Sequence, residues 1–194
     1  KESPSLVFSL NADTTAPTAV PSISAIGDDT GSSATDYKTN ESHQIISGSI
    51  NNALAAGEKV QVSIDNGTNY YDATVSGTSW FATGVIASST TIKARVVDAS
   101  GNVGSTIASQ AVTLDTANPS APTITITDTG SSSSDNITNN ATVTVGGLES
   151  GASWEYQVNN AGYLAGSGSS FTLVNDGTKN INVRQIDDAG NVST

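Results

Sequence analysis

With 194 residues the chain is too long for one small sandwich and comfortable as two domains of about 100 residues each. Its formal net charge of −11, from 18 acidic against 7 basic side chains, argues against the basic footprint that nucleic-acid binding needs. Hydrophobic residues make up 36% with few aromatics, enough for two thin cores but not one large α/β core, and no run is long enough to span a membrane.

In chain order, residues 5–10 (Ser-Leu-Val-Phe-Ser-Leu) read as one short strand. A joint follows, Leu10-Asn11-Ala12-Asp13-Thr14-Thr15-Ala16-Pro17-Thr18. Residues 20–26 alternate as a strand, and a Gly/Ser/Asp loop runs from Gly27 through Asp36. Residues 43–50 form the second strand, and 59–64 the third, with strict period-two alternation. Asp65-Asn66-Gly67 is a hairpin turn, because Asn-Gly tolerates positive φ. Residues 70–75 return, Ser76-Gly77-Thr78 turns, and 79–83 carry Trp80. Residues 91–97 place Ile92, Ala94 and Val96 on one face; Asp98–Asn102 turns; 106–114 close the unit. Seven short strands punctuated by turns are the pattern of an immunoglobulin-like sandwich.

A second joint, Leu114-Asp115-Thr116-Ala117-Asn118-Pro119-Ser120-Ala121-Pro122, resembles the first, and the pattern then repeats. Asp128-Thr129-Gly130-Ser131-Ser132 matches Asp29-Thr30-Gly31-Ser32-Ser33, Asp135 matches Asp36, and Asn139 matches Asn40. Residues 154–158 stand in the place of 60–64, Phe171 in that of Trp80, and 187–192 in that of 98–103. The expected organisation is all-β: two tandem immunoglobulin-like β-sandwich domains in a rod. Residues 1–12 are the last strand of a preceding repeat plus a joint. Repeat 1 is 13–115, and repeat 2 is 116–194 without a last strand. No leader is legible, so the chain reads as a piece of a longer one. An orphan strand at one end and a lacking strand at the other arise most simply from a cut or an unformed strand. The alternative is head-to-tail strand exchange between molecules.

There is no cysteine or methionine, so any cross-link between domains is not a disulfide. Thirteen of the 18 acids are Asp, many in loops, where short carboxylates suit Ca²⁺, a hard cation taking six to eight oxygens. The alternatives are acidic loops that keep the protein soluble, and Asx-turns in which each Asp bonds its own backbone. In a sandwich entered at the top, the first loop and the last strand's exit lie at the bottom. Asp28, Asp29 and Asp36 are therefore expected to converge on Asp115 with Asp187 and Asp188 of the next domain, near Glu149. Asp13 and Asp98 would form the upper half of another such joint. Asp65, Asp72 and Asp176 read as ordinary turn or edge residues.

Trp80, Phe171, Trp154 and Tyr156 read as core aromatics rather than a sugar platform. Tyr70, Tyr71 and Tyr163 are expected to be partly exposed, the place where direct ligand contact would start. Catalysis is not expected. His43 is the only histidine, it sits inside a strand, and no nucleophile elbow accompanies it.

Asp-Thr-Thr-Ala-Pro at 13–17, Asp-Thr-Gly-Ser-Ser-Ser-Ser-Asp-Asn-Ile-Thr-Asn at 128–139 and Asp-Asp-Ala-Gly-Asn at 187–191 together resemble the tandem bacterial Ig-like repeats of giant type-I-secreted adhesins. Biofilm-associated proteins and RTX-type adhesins belong there. The resemblance implies extracellular, cell-surface stalk repeats, stiffened by calcium at the joints and supporting cell adhesion or biofilm formation. Their partners would be neighbouring repeats of the same chain, with no nucleic acid and no membrane insertion. A second reading is an Ig-like module that itself binds a glycan or host protein; a third is a spacer attached to an enzyme. The second joint (Asp-Thr-Ala-Asn-Pro) and the first unit's Asp-Tyr-Lys-Thr-Asn at 36–40 depart from the pattern.

Overall fold

The computed structural model describes residues 8–194. Among the described residues there are fifteen strands and no helix, which makes the fold all-β. They are Pro21–Ile26 (β1), Lys38–Thr39 (β2), His43–Ile50 (β3), Lys59–Ser63 (β4), Tyr71–Asp72 (β5), Thr74–Ser76 (β6), Ser79–Val85 (β7), Thr90–Val97 (β8) and Ala108–Leu114 (β9). The second half adds Thr123–Ile126 (β10), Thr142–Gly146 (β11), Ser153–Val158 (β12), Leu164–Ala165 (β13), Ser170–Thr172 (β14) and Ile181–Ile186 (β15). Of the strand expected at 5–10, residues 5–7 lie outside the described residues, and Phe8 to Leu10 are in no strand.

The strands form four sheets, ordered β1-β3-β7-β6, β2-β9-β8-β4-β5, β10-β11-β14 and β13-β12-β15. With the two-residue β2 and β5 set aside, the first two sheets link first, second, fifth and fourth strands in one and third, sixth and seventh in the other. That is immunoglobulin connectivity. The last two sheets repeat it with fewer strands. By compactness the chain divides into two units. The first comprises the chain up to Ser24, Ile45–Gly84 and Thr91–Gln110; the second comprises Ala25–Gln44, Val85–Thr90 and Ala111–Thr194.

The first unit's core follows from period-two alternation. Ile46, Val60, Val62, Ile92, Ala94 and Val96 all point inward and are buried. Trp80 joins them, its indole N–H donating to the Ser49 carbonyl at 3.1 Å. Gly48 makes room for that ring: a Cβ there would collide with the Ser22 carbonyl oxygen and the Trp80 indole. The return expected over 70–75 is two strands. Asp72 pairs with Gln61 on β4, whereas Thr74–Ser76 pair with β7 in another sheet. The chain changes sheets at Ala73, whose N–H still bonds the Val60 carbonyl at 2.9 Å.

The expected turn at 65–67 forms with positive φ at Asn66 (60°) and Gly67 (91°). Asp65 organises it. Its carboxylate accepts the Asn69 backbone N–H at 2.8 Å, the Ser63 hydroxyl at 2.7 Å and the Asn69 side-chain amide at 2.7 Å.

The second unit's core centres on Val143, Val145 and Trp154, with Ile26, Ile86 and Val112 also buried. Trp154 donates its indole N–H to the Gly168 carbonyl at 2.9 Å and stands over Gly166, where any Cβ would meet the ring. Tyr156 and Phe171 stack with centroids 3.9 Å apart. Trp80 and Trp154 are thus core, as expected. Phe171 stays half-buried, because the buried indole here comes from β12.

Gly48→Ala is expected to destabilise by about 1–3 kcal/mol through overpacking, seen as a lower urea midpoint. The hydrogen bonds to Asp65, led by the Asn69 N–H, lower its pKa from 3.8 to about 2. A depressed carboxylate contributes stability above its unfolded pKa and loses it as pH falls through the folded value. Wild type should therefore lose thermal stability between pH 4 and pH 2 more steeply than Asp65→Asn, in melts run across that window.

Candidate functional site

The turn before each half's end is built the same way. Asp187 Oδ1 accepts the backbone N–H groups of Ala189 and Asn191, both at 2.9 Å, and its Oδ2 accepts the Asn191 amide at 2.8 Å. Gly190 supplies the positive φ (95°) the turn requires. In the first half Asp98 Oδ1 accepts Ser100 and Asn102 N–H at 2.9 and 2.8 Å, and Oδ2 accepts the Asn102 amide at 2.7 Å. These bonds, the Asn102 amide foremost, hold the Asp98 carboxyl below the ordinary carboxylate value. Both turns are Asx-turns closed by an asparagine four residues on.

The same asparagine reaches the joint. Asn191 donates its amide to the Asp115 carbonyl at 2.9 Å, and Asn102 donates to the Asp13 carbonyl at 3.1 Å. Each joint aspartate folds its carboxylate onto the linker: Asp115 Oδ1 accepts Ala117 N–H, and Asp13 Oδ1 accepts Thr15 N–H, both at 3.0 Å. Asp13 and Asp98 therefore belong together, as do Asp115 and Asp187.

Around Asp115 these elements enclose a cleft of about 440 Å³ in the second unit. Lys38, Asp115, Glu149, Asp187 and Asp188 line it. Lys38 Nζ sits 3.0 Å from Asp188 Oδ2, an ion pair whose partners keep 41% and 42% of their side-chain surface exposed. The hydrogen bond to Asp188, with its charge, raises the Lys38 pKa above 10.5. Glu149 Oε1 accepts Ser120 N–H at 3.0 Å, and the Glu149 N–H donates to the Gln185 side chain at 2.8 Å.

The loop bearing Asp28 and Asp29 reaches the same turn, but through its neutral residues. Thr30 donates its hydroxyl to the Ala189 carbonyl at 2.5 Å, and a Cβ on Gly31 would collide with the Asp188 carbonyl. Asp28, Asp29 and Asp36 do not line the cleft. Asp28 uses its backbone, bonding Gln44 and Thr39. Asp36 Oδ1 accepts Lys38 N–H at 3.1 Å. Asp29 Oδ2 accepts Tyr37 N–H at 3.0 Å, while its buried Oδ1 has no hydrogen-bond partner. Asp128, at the matching place, repeats both features: Oδ2 accepts Asn136 N–H at 2.8 Å and Oδ1 is orphaned. As the side chains stand, no three carboxylates among the described residues are gathered tightly enough to hold a metal ion.

Sequence reasoning missed Asn191, Lys38 and Gln185 as site residues. Asn191 had a visible signal, since asparagine recurs four residues after aspartate in both turns. Lys38 had none; its counterpart in the second half is Ile137. Of the tyrosines, Tyr71 is exposed, while Tyr70 and Tyr163 each lie under an arginine: Arg95 at 3.7 Å and Arg184 at 3.8 Å from the ring centres. His43 is exposed, its ring nitrogen 3.4 Å from the Ser42 hydroxyl.

No protein-family model matches the chain, and no curated protein matches it. Among solved structures it is similar to a biofilm-associated protein BSP domain at 17% identity and a TM-score of 0.31, covering 80% of this chain and 26% of that one. It is also similar to a tetra-tandem repeat in the extending region of a large adhesion protein, at 18% identity and a TM-score of 0.33, covering 91% and 47%. A cytokine receptor complex matches at 15% identity and a TM-score of 0.29, covering 77% and 86%. The chain spans about a quarter and about half of the length of the first two. Among the described residues no helix is long and apolar enough to cross a membrane.

Asn191→Ala would leave the Asp115 carbonyl and Asp187 Oδ2 without their donor at a site where Asn191 is only 6% exposed. It is expected to cost about 1–3 kcal/mol. Asn102→Ala, at a more exposed position, should cost less; denaturant titrations of the two variants check the order.

Proposed function

We propose that the chain is a pair of extender repeats from the stalk of an extracellular, type-I-secreted bacterial surface adhesin, serving reach rather than catalysis. The carrying observation is that one joint is built twice from the same side chains: Asp13, Asp98 and Asn102, then Asp115, Asp187 and Asn191. A unit whose linker is tied to its own last turn propagates along a chain without any change of design. On this reading repeat 1 is 13–115 and repeat 2 is 116–194.

Calcium belongs to the same proposal. The cleft residues fit a hard divalent ion in kind: Asp115 Oδ2, Glu149 Oε2 and Asp188 Oδ1 accept no hydrogen bond from the described residues, and all three side chains line one cleft. A bound ion would supply charge neutralisation and a cross-link between linker and turn. Lys38 meanwhile neutralises one of these carboxylates and must release Asp188 before all three can converge.

The test is thermal melting and small-angle scattering with chelator and with millimolar calcium, on wild type and Asp115→Asn. The expected result is a higher Tm and a narrower size distribution with calcium in wild type, both lost in the variant. No calcium effect on wild type would remove calcium from the reading, leaving the acidic cleft as solubilising surface.

A further inference from the structure

One structural device occurs in both halves and carries a different charge in each. Arg95 on β8 lies over the Tyr70 ring at 3.7 Å, and Arg184 on β15 lies over the Tyr163 ring at 3.8 Å. Each arginine also bonds the residue opposite it on the neighbouring strand. In the second half that residue is Glu155, whose Oε2 accepts Arg184 Nε at 2.9 Å and Nη2 at 2.7 Å. The positive charge is cancelled where it stands. In the first half it is Gln61, whose Oε1 accepts Arg95 Nε at 3.1 Å and Nη2 at 2.9 Å. A neutral amide fixes the guanidinium without cancelling its charge.

The surroundings differ in the same direction. By strand register, the neutral Ser153, Ala165 and Asn182 of the second half stand where the first half has Lys59, Asp72 and Lys93. Lys59 Nζ sits 2.7 Å from Asp72 Oδ2, so these two cancel, and Asp72 Oδ1 accepts the Gln61 amide at 3.0 Å. Lys93 and Arg95 remain. They lie on one face of β8, two residues and so about 7 Å apart along the strand. Among the described residues neither pairs with a carboxylate, and Arg95 Nη1, Lys93 Nζ and the Tyr70 hydroxyl donate no hydrogen bond. Lys93 Nζ and the Tyr70 hydroxyl stand together, 3.4 and 3.3 Å from the place a Cβ on Gly67 would take. Asp65, on the same hairpin as Gly67, has its oxygens engaged by Ser63 and Asn69.

We propose that this face of the first half binds a carboxylated polysaccharide, a polyuronate in kind. Three uncommitted donors, two of them cationic, match carboxylate and hydroxyl oxygens. The chain carries a net charge of −11 and only 7 basic side chains, yet two of them stand side by side here without a counterion. Charges farther off than a Debye length, about 8 Å, are screened, so an anion at this face meets the two cations first. An acidic peptide fits less well, because peptides hold to an unpaired strand edge or by burying apolar anchors. β4 and β8 lie inside the order β2-β9-β8-β4-β5 and expose no large apolar side chain. Gln61 and Asp72 add polar groups that sugar hydroxyls can bond. All these residues belong to the first unit. The proposal rests on neither calcium nor the stalk reading.

The test is biolayer interferometry on immobilised alginate, a polyuronate, in chelator and low salt, with neutral dextran and poly-glutamate as comparison surfaces. Wild type is expected to bind alginate, more weakly as salt rises, and not to bind dextran. Gln61→Glu gives the first half the residue of the second and should weaken binding about tenfold. Lys93→Gln, at a side chain with no partner to lose, should weaken it about threefold or more and keeps the test open if Gln61→Glu melts early. Arg184→Gln should leave binding unchanged, because Glu155 already cancels that charge. A wild type that ignores alginate, a Lys93→Gln variant that binds like wild type, or an Arg184→Gln variant weakened as much as Lys93→Gln would each overturn the proposal. Poly-glutamate bound as tightly as alginate would overturn the polysaccharide and give the face to acidic peptides.

Discussion

One side-chain amide ties the joint together. Asn191 donates to the Asp187 carboxylate and to the Asp115 carbonyl, so a single buried residue closes a turn and fastens the linker to it. A backbone carbonyl in a linker otherwise turns to water and leaves the linker free. Held by Asn191, the linker presents the Asp115 side chain on the same cleft as Glu149 and Asp188. The acidic character of the cleft thus depends on a neutral residue that fixes where the carboxylates stand.

The two halves use the same devices and vary their contents. Each has a D-x-x-x-N turn, a Thr-Asn pair under the early loop, and a tyrosine capped by an arginine. Each buries one tryptophan whose indole N–H finds a backbone carbonyl, and each clears space with a glycine. The tryptophan comes from β7 in one half and β12 in the other. A bulky indole needs one site per thin core, and either sheet can supply it provided the facing residue is small. The exchange of Lys38 for Ile137 is sharper: one half places a cation against Asp188, the other an exposed aliphatic side chain.

Charge is managed locally. The strongest pull on a carboxylate is at Asp65, where three donors surround a turn that does no more than join strands. The cleft carboxylates are less tightly bound by hydrogen bonds, apart from Asp187, and so retain oxygens for other partners.

The sequence alone determined the all-β class, most strand positions, the hairpin at Asn66-Gly67, and the pairing of Asp115 with Asp187 and Asp13 with Asp98. Alternation and turn residues act over a few neighbours, and the internal repeat makes each motif confirm its copy. Only the tertiary structure decided that residues 70–76 divide between two sheets at Ala73, since that depends on which strands lie on either side. Only it showed that the early loop meets the 187–190 turn through Thr30 and Gly31 rather than through Asp28 and Asp29, and that Lys38 pairs with Asp188. Both contacts join residues about 150 positions apart. No local pattern encodes such a meeting; it exists once the sheets have set the direction in which each loop points.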